Sequence, residues 1–391
     1  MKDQASHDAG YFAESACDIA EFEKLTRQTL TPDTVQHAAR IVSNVPVYDM
    51  PALDDALHDP NQRRALLIEW GDVLLNGAGV VALETAYTDT SGIDEATAIF
   101  KTIIADEKSK AGGGGDHFAA AGTNDRIWNA LQKLCEASPE TYFRYFANPA
   151  IAAVCEAWLG PYYQMTTQVN VVYPGGAAQQ CHRDYHLGFQ TEDICATYPA
   201  HVHTLSQTLT LQGAIAHCDM PVESGPTKLL PFSQAYAPGY MAWRREDFRN
   251  LFEDRAVQIP LKKGDALFFN PALFHAAGAN TSTDIDRLAN LLQVSSAFGR
   301  AMETVDRTTM CKAIYPIALQ AQASMRPMEL RAAIAATAEG YAFPTSLDRD
   351  PPIGGLAPET QQAFFLRALE EGLDPDAFAH HLDVMDCRRL A

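Results

Sequence analysis

MTTQVNVVY, residues 165–173, is the stretch on which the fold turns. Val169, Val171 and Tyr173 alternate with Gln168, Asn170 and Val172, a period of two that suits a strand and not a helix. Working forward, TLSQTLTLQGAIAHC (204–218), DRAVQIPL (254–261), DALFFN (265–270) and RLANLLQVSSAF (287–298) have the same β-branched or alternating texture, broken by Pro, Gly and Asp turns. Several short strands in one continuous stretch predict a jelly-roll or cupin-like double-stranded β-helix rather than a parallel α/β sheet.

Working backward, the spacing of Leu66, Leu67, Trp70, Val73 and Leu74 predicts an amphipathic helix over 61–75, and residues 79–83 a strand. Ser91 with Asp94 reads as a capping box opening a helix that runs to about residue 107. Further helices are expected near 125–136, after Ser138-Pro139, and from Asn148-Pro149 to Gly160. Residues 1–60 read as a polar, weakly helical lead-in. Residues 301–391 read as a helical extension with helices at 328–339 and 359–371. Residues 341–355 form an irregular arm whose Tyr341, Phe343 and Leu347 want burial. The expected class is therefore α+β: lead-in 1–60, a functional domain over 61–300 with its jelly-roll strands mainly at 163–300, and the extension 301–391 packed on it.

The 391 residues carry 30 Lys+Arg against 49 Asp+Glu, a formal net charge of -19, which argues against binding nucleic acid or an anionic membrane. No apolar run reaches the length of a spanning helix, no signal-peptide core opens the chain, and the eight cysteines form no C-x-x-C pair. A cytoplasmic enzyme acting on a small molecule is the expectation, with its oligomeric state open.

The chemistry is concentrated in QCHRDYH, residues 180–186. On a strand, His182 and Asp184 point to one face. An imidazole and a carboxylate aimed at one point suit a divalent metal such as Fe(II). His275, after the strand-like KGDALFF, supplies a third donor, and two histidines with one carboxylate are the open-faced set of non-haem Fe(II) oxygenases. Arg287, opening the last strand, can grip a dicarboxylate by two parallel hydrogen bonds. Asp284 and Asp286 are its alternative partners. A second triplet, His217-Cys218-Asp219, competes with the first, as does His201-x-His203 more weakly. His380-His381 read as a solvated helix end, and Arg126 as a surface charge. Gln168 and Asn170 share a face and serve either a co-substrate or substrate, or cross-strand hydrogen bonds.

His182-x-Asp184, His275 and Arg287, with the GAGVVALET, LQGAIAHCDMPVESGPTKLLPFSQ and ALFFNPALFHAAGAN stretches, resemble the phytanoyl-CoA dioxygenase family of Fe(II)/2-oxoglutarate oxygenases from about Trp70 to Arg300. The resemblance implies Fe(II) on His182, Asp184 and His275. It also implies 2-oxoglutarate with its distal carboxylate on Arg287, and O2 as oxidant. The reaction is then hydroxylation of a C–H bond with release of succinate and CO2. Related halogenases carry a small residue where Asp184 stands, so hydroxylation or another oxidation is favoured. Residues 185–206 and the glycine-rich 112–126 are expected to wall the pocket, and residues 112–115 and 185–206 to order on substrate binding. No Lys/Arg cluster suits a CoA ester, so a small free metabolite is the expected substrate. The alternatives are a cupin-like metalloenzyme that does not use 2-oxoglutarate and a non-catalytic binding protein on the same fold.

Overall fold

The computed structural model describes residues 10–111 and 123–390. Among these run β1 (Arg40–Val42), β2 (Val45–Asp49), β3 (Val80–Glu84), β4 (Asn124–Ile127), β5 (Gln164–Val172), β6 (Thr210–Ala216), β7 (Lys228–Leu230), β8 (Val257–Gln258), β9 (Ala266–Phe269), β10 (Phe274–Ala276) and β11 (Arg287–Ser295). They make an eight-stranded sheet in the order β1-β2-β3-β9-β6-β11-β5-β4 and a three-stranded sheet β10-β7-β8. The β2–β3 pair is parallel and the other pairs are antiparallel. The class is α+β. The strands form these two separate sheets, and no closed barrel is present among the described residues.

The alternation in β5 decides which way the large sheet faces. Val169 and Val171 join the main core, whereas Gln168 and Asn170 line a cavity between the sheets. The apolar side is covered by helices whose starts the sequence marks. The Ser138 hydroxyl accepts from the Thr141 N–H, and the Asn148 carboxamide accepts from Ala150 and Ile151. They cap the helices Pro139–Phe146 and Pro149–Leu159. The helix Pro60–Leu75 buries Leu66, Trp70, Val73 and Leu74. One core runs from Leu30 to Met385 and so takes in the C-terminal helices. A smaller core lies behind the small sheet, built from Phe22, Cys181, Tyr236, Tyr240, Phe248 and Phe274 among others.

Several expectations are corrected. The lead-in is not simply helical. Val42 and Val45 close a hairpin through Ser43-Asn44, both at positive φ, and β2 extends the large sheet. The helix expected near 125–136 begins only at Ala130, because Asn124–Ile127 pairs with the edge of β5. Residues 204–208 belong to the helix Ala200–Thr208, so β6 starts later than its texture suggested, and the DRAVQIPL strand shrinks to Val257–Gln258. Ser91 is a first-turn residue whose N–H bonds to the Asp89 carboxylate, so Asp89 takes the role expected of the Ser91 side chain. Helices at Glu192–Ala196, Ala200–Thr208 and Glu246–Arg255 interrupt the strand series. In the 341–355 arm Phe343 and Leu347 are exposed. His381 lies inside the helix Pro375–Arg389, stacked on Phe364 at 4.0 Å, and not at a solvated end. Residues 112–115, expected to form a lid, lie outside the described residues. No helix among the described residues is long and apolar enough to cross a membrane.

Candidate metal centre

His182 lies in no ladder. It makes a single β-bridge with His275, through a 3.0 Å bond from its N–H and a 3.2 Å bond in return. Asp184 follows, its N–H bonded to the Pro271 carbonyl at 3.0 Å. Strand alternation was thus the wrong vehicle for the convergence of His182 and Asp184, but the convergence is there. The ligand atoms of His182, Asp184 and His275 all lie within 4.8 Å of one another. Each histidine Nδ1 faces a carbonyl, Gln180 O at 2.8 Å and Leu273 O at 2.7 Å. A carbonyl can only accept, so each Nδ1 carries a proton and Nε2 is the ring atom turned inward. Those Nε2 atoms stand 3.7 and 3.5 Å from Asp184 Oδ2. Three electron-rich donors facing one another across such gaps are the donor set of a divalent cation site.

The electrostatics agree. Burial alone pushes the Asp184 carboxyl up, but the His182 and His275 imidazoles and the Gln212 amide more than offset it and hold it at about 2. Burial, then the neighbouring His275, pushes His182 down, against the pull of Asp184. Asp184 is therefore a carboxylate and His182 a neutral imidazole at physiological pH, the states in which they bind a metal.

Alternate residues of the large sheet form the opposite wall of a cavity of about 820 Å³: Asn124 and Arg126 from β4, Gln168 and Asn170 from β5, and Arg287, Ala289, Leu291 and Gln293 from β11. The register aligns Gln293 with Gln212, Leu291 with Gln168, and Arg126 with Asn170. Gln168 accepts from Arg126 at 2.9 Å and its amide reaches Met302, whereas the buried Asn170 carboxamide oxygen has no hydrogen-bond partner. Arg287 is 7% exposed and lines the same cavity. Its Nη1 donates to the Ser224 and Gly278 carbonyls, and among the described residues no carboxylate pairs with it. Asp284 and Asp286 do not take that place. Burial pushes its guanidinium down to about 10, so it remains charged.

The rival histidines have other partners. His217 is buried between Thr97 Oγ1 at 2.8 Å and the Tyr145 hydroxyl at 2.7 Å. His203 is buried with its Nε2 on the Cys195 carbonyl, and His201 is exposed on the same helix. Sequence reasoning missed Gln212, whose amide donates to Asp184 Oδ2 at 2.7 Å. Its place on one face with Ala214 was the available signal. It also set Arg126 aside as a surface charge. Arg126 instead lines the cavity, over the Trp128 ring at 5.2 Å, because the segment taken for a helix is the edge strand β4.

The family profile described as Phytanoyl-CoA dioxygenase (PhyH) matches residues 71–289. Among curated proteins, the chain is 27% identical over 144 residues to "Dioxygenase andF" of Emericella variicolor, covering 36% of this chain and 45% of that protein. It is 28% identical over 128 residues to "Dioxygenase trt7" of Aspergillus terreus, covering 33% and 39%. The chain thus spans less than half the length of the curated relatives it matches. Among solved structures, it is similar to the epimerase SnoN in complex with Fe3+, alpha ketoglutarate and nogalamycin RO, with 21% identity and TM-score 0.43, covering 60% of this chain and 85% of that one. It is also similar to the alpha ketoglutarate dependent carbocyclase SnoK, with 21% identity and TM-score 0.38, covering 56% and 80%.

Proposed function

Because this chain belongs to the phytanoyl-CoA dioxygenase family, we propose that it is an Fe(II)- and 2-oxoglutarate-dependent dioxygenase that hydroxylates an unactivated C–H bond of a small organic molecule. The observation that carries this reading is the meeting of two imidazole nitrogens and one carboxylate oxygen at one point on the wall of a cavity. His182, Asp184 and His275 would hold the metal at the cavity wall. Arg287, charged and without a protein carboxylate, takes the far carboxylate of 2-oxoglutarate. The Asn170 carboxamide supplies an orienting polar contact, and Gln168, tied to Arg126, a second. Bound Fe(II), with 2-oxoglutarate and O2, supplies the oxidising power, and the reaction returns succinate, CO2 and the hydroxylated product.

The substrate reading rests on the walls. Trp128, Tyr185, Phe189, Trp243 and Met302 line the cavity with apolar surface, and its size is that of a site for a mid-sized organic ligand. No lysine is among the described lining residues, and Asp184 is their single carboxylate. Of the three arginines among them, Arg126 bonds to Gln168, Arg183 to backbone carbonyls, and Arg287 takes 2-oxoglutarate. That leaves the phosphates of a CoA thioester no dedicated cationic cluster and favours a free metabolite. The functional unit is residues 61–300, with 301–391 bracing it. The test is succinate release from 2-oxoglutarate by the purified protein with Fe(II) and O2. Turnover abolished in His182→Ala supports the reading, and a protein that leaves 2-oxoglutarate intact with every candidate metabolite refutes it.

A further inference from the structure

Between two of the proposed metal ligands stands Arg183, a residue that the chemistry above does not use. It is 1% exposed, among the largest fully buried side chains of the protein. Its Nη2 donates to the carbonyls of Ser233 at 2.6 Å and Tyr236 at 3.0 Å, with Gln234 at 3.4 Å. Its guanidinium carbon lies 5.2 Å from the ring centroids of both Tyr240 and Phe274. No carboxylate pairs with it among the described residues. A methyl group added at Gly239 would sit 1.9 Å from that carbon, so the glycine is the slot into which the guanidinium fits.

A buried cation without a counter-ion is costly, and an apolar side chain fills such a space with less desolvation. Its contacts show what it brings instead. Phe274 immediately precedes His275. Tyr240 donates from its hydroxyl to the Asp184 carbonyl at 3.2 Å. The segment carrying His182 and Asp184 is otherwise tied down by one bridge and the Asp184–Pro271 bond, with no ladder to impose its geometry. One guanidinium therefore touches the supports of Asp184 and His275, from the residue that follows His182 in the chain. We infer that Arg183 is a positioning residue of the metal centre: it locks the 182–184 backbone against residues 233–240 and Phe274, so that the three donors meet at one point. This rests on the metal-ligand reading above.

The experiment is anaerobic titration of the full chain with Co(II), read as the dissociation constant and the visible ligand-field spectrum, beside the thermal midpoint of each variant. Wild type and His182→Ala come first. If wild type binds no Co(II), or His182→Ala binds it equally well, the metal-ligand reading fails and not this one. Arg183→Met is expected to weaken Co(II) binding at least tenfold at temperatures where it stays folded, and to alter the spectrum. Arg183→Lys, which keeps the charge but not the fork, falls between. Gly239→Ala, which displaces the guanidinium without removing it, repeats the Arg183→Met result and decides the matter if that variant fails to fold. Phe252→Leu loosens the same small core at a ring that faces Lys228 and not the groups Arg183 touches. It is expected to lower the midpoint and leave the dissociation constant unchanged. Folded Arg183→Met and Gly239→Ala proteins that bind Co(II) within twofold of wild type, with its spectrum, would overturn the inference. So would a Phe252→Leu protein that loses affinity as they do.

Discussion

His182, Asp184 and His275 converge on one point at the wall of a cavity that Arg287 also lines. The imidazoles turn their Nε2 atoms toward a carboxylate, and the arginine meets two carbonyls but, among the described residues, no acid. His182→Ala, Asp184→Ala and His275→Ala are each expected to lose iron, measured by metal analysis of the purified proteins. His217→Ala is expected to keep it, because His217 is satisfied by Thr97 and Tyr145. Iron retained in His182→Ala and lost from His217→Ala would mean that the wrong triplet has been assigned. Arg287→Ala removes a charge-assisted contact of ~1.5–3 kcal/mol. At ~1.4 kcal/mol per tenfold, 2-oxoglutarate affinity is expected to fall by about one to two orders of magnitude with iron still bound. Arg287→Lys lies between the two, and unchanged affinity in Arg287→Ala would exclude this role. These residues were legible because their types and order carry chemistry by themselves. Gln212 and Arg126 were not, since an amide or a guanidinium acquires a role only from what faces it.

Elements with a written start signal formed where the sequence placed them. Ser138-Pro139 and Asn148-Pro149 open helices, since a side-chain acceptor followed by proline satisfies the first turn locally. Asn148 also donates from its amide to the Ala86 carbonyl at 2.8 Å, which ties the helix to the loop after β3. Asn148→Ala is expected to cost about 1–2 kcal/mol, read as a lower urea midpoint at unchanged slope. A midpoint equal to wild type would show that the cap contributes nothing. Elements without such signals went astray. β4 is held by the edge of β5, its partners 42 to 48 residues away in sequence, and the end of the helix Ala200–Thr208 occupies residues 204–208, whose composition looked strand-like. Local propensity there is weak enough for tertiary contacts to override it.

At the scale of the whole molecule, one core joins the large sheet to helices from both ends of the chain, and Arg307 reaches from the C-terminal region to the Met165 carbonyl on β5. His217 sits fully inside that assembly, where burial pushes its imidazole down to about 3. Unfolded, it titrates near ~6.5. Between those values the unfolded chain holds a proton that the native chain does not. The stability contributed is therefore complete above about pH 6.5 and drains away as pH falls toward 3. His217→Gln removes this dependence. Its stability deficit against wild type is expected to shrink as pH falls from 6.5 to 4, by at most ~1.4 kcal/mol per pH unit, in paired denaturant titrations. A deficit constant over that range would contradict the assignment. By itself the sequence determined the α+β class, the strand alternation of β5 and β11, the capped helices and the chemical identity of the candidate ligands, because periodicity, capping and donor type are local properties. Only the tertiary structure decided that the N-terminal hairpin extends the large sheet, that Gln212 faces Asp184, that Arg126 lines the cavity and that Arg183 lies behind the ligands. Each depends on register and packing between segments far apart in the chain, and no local pattern encodes which distant residue a side chain will meet.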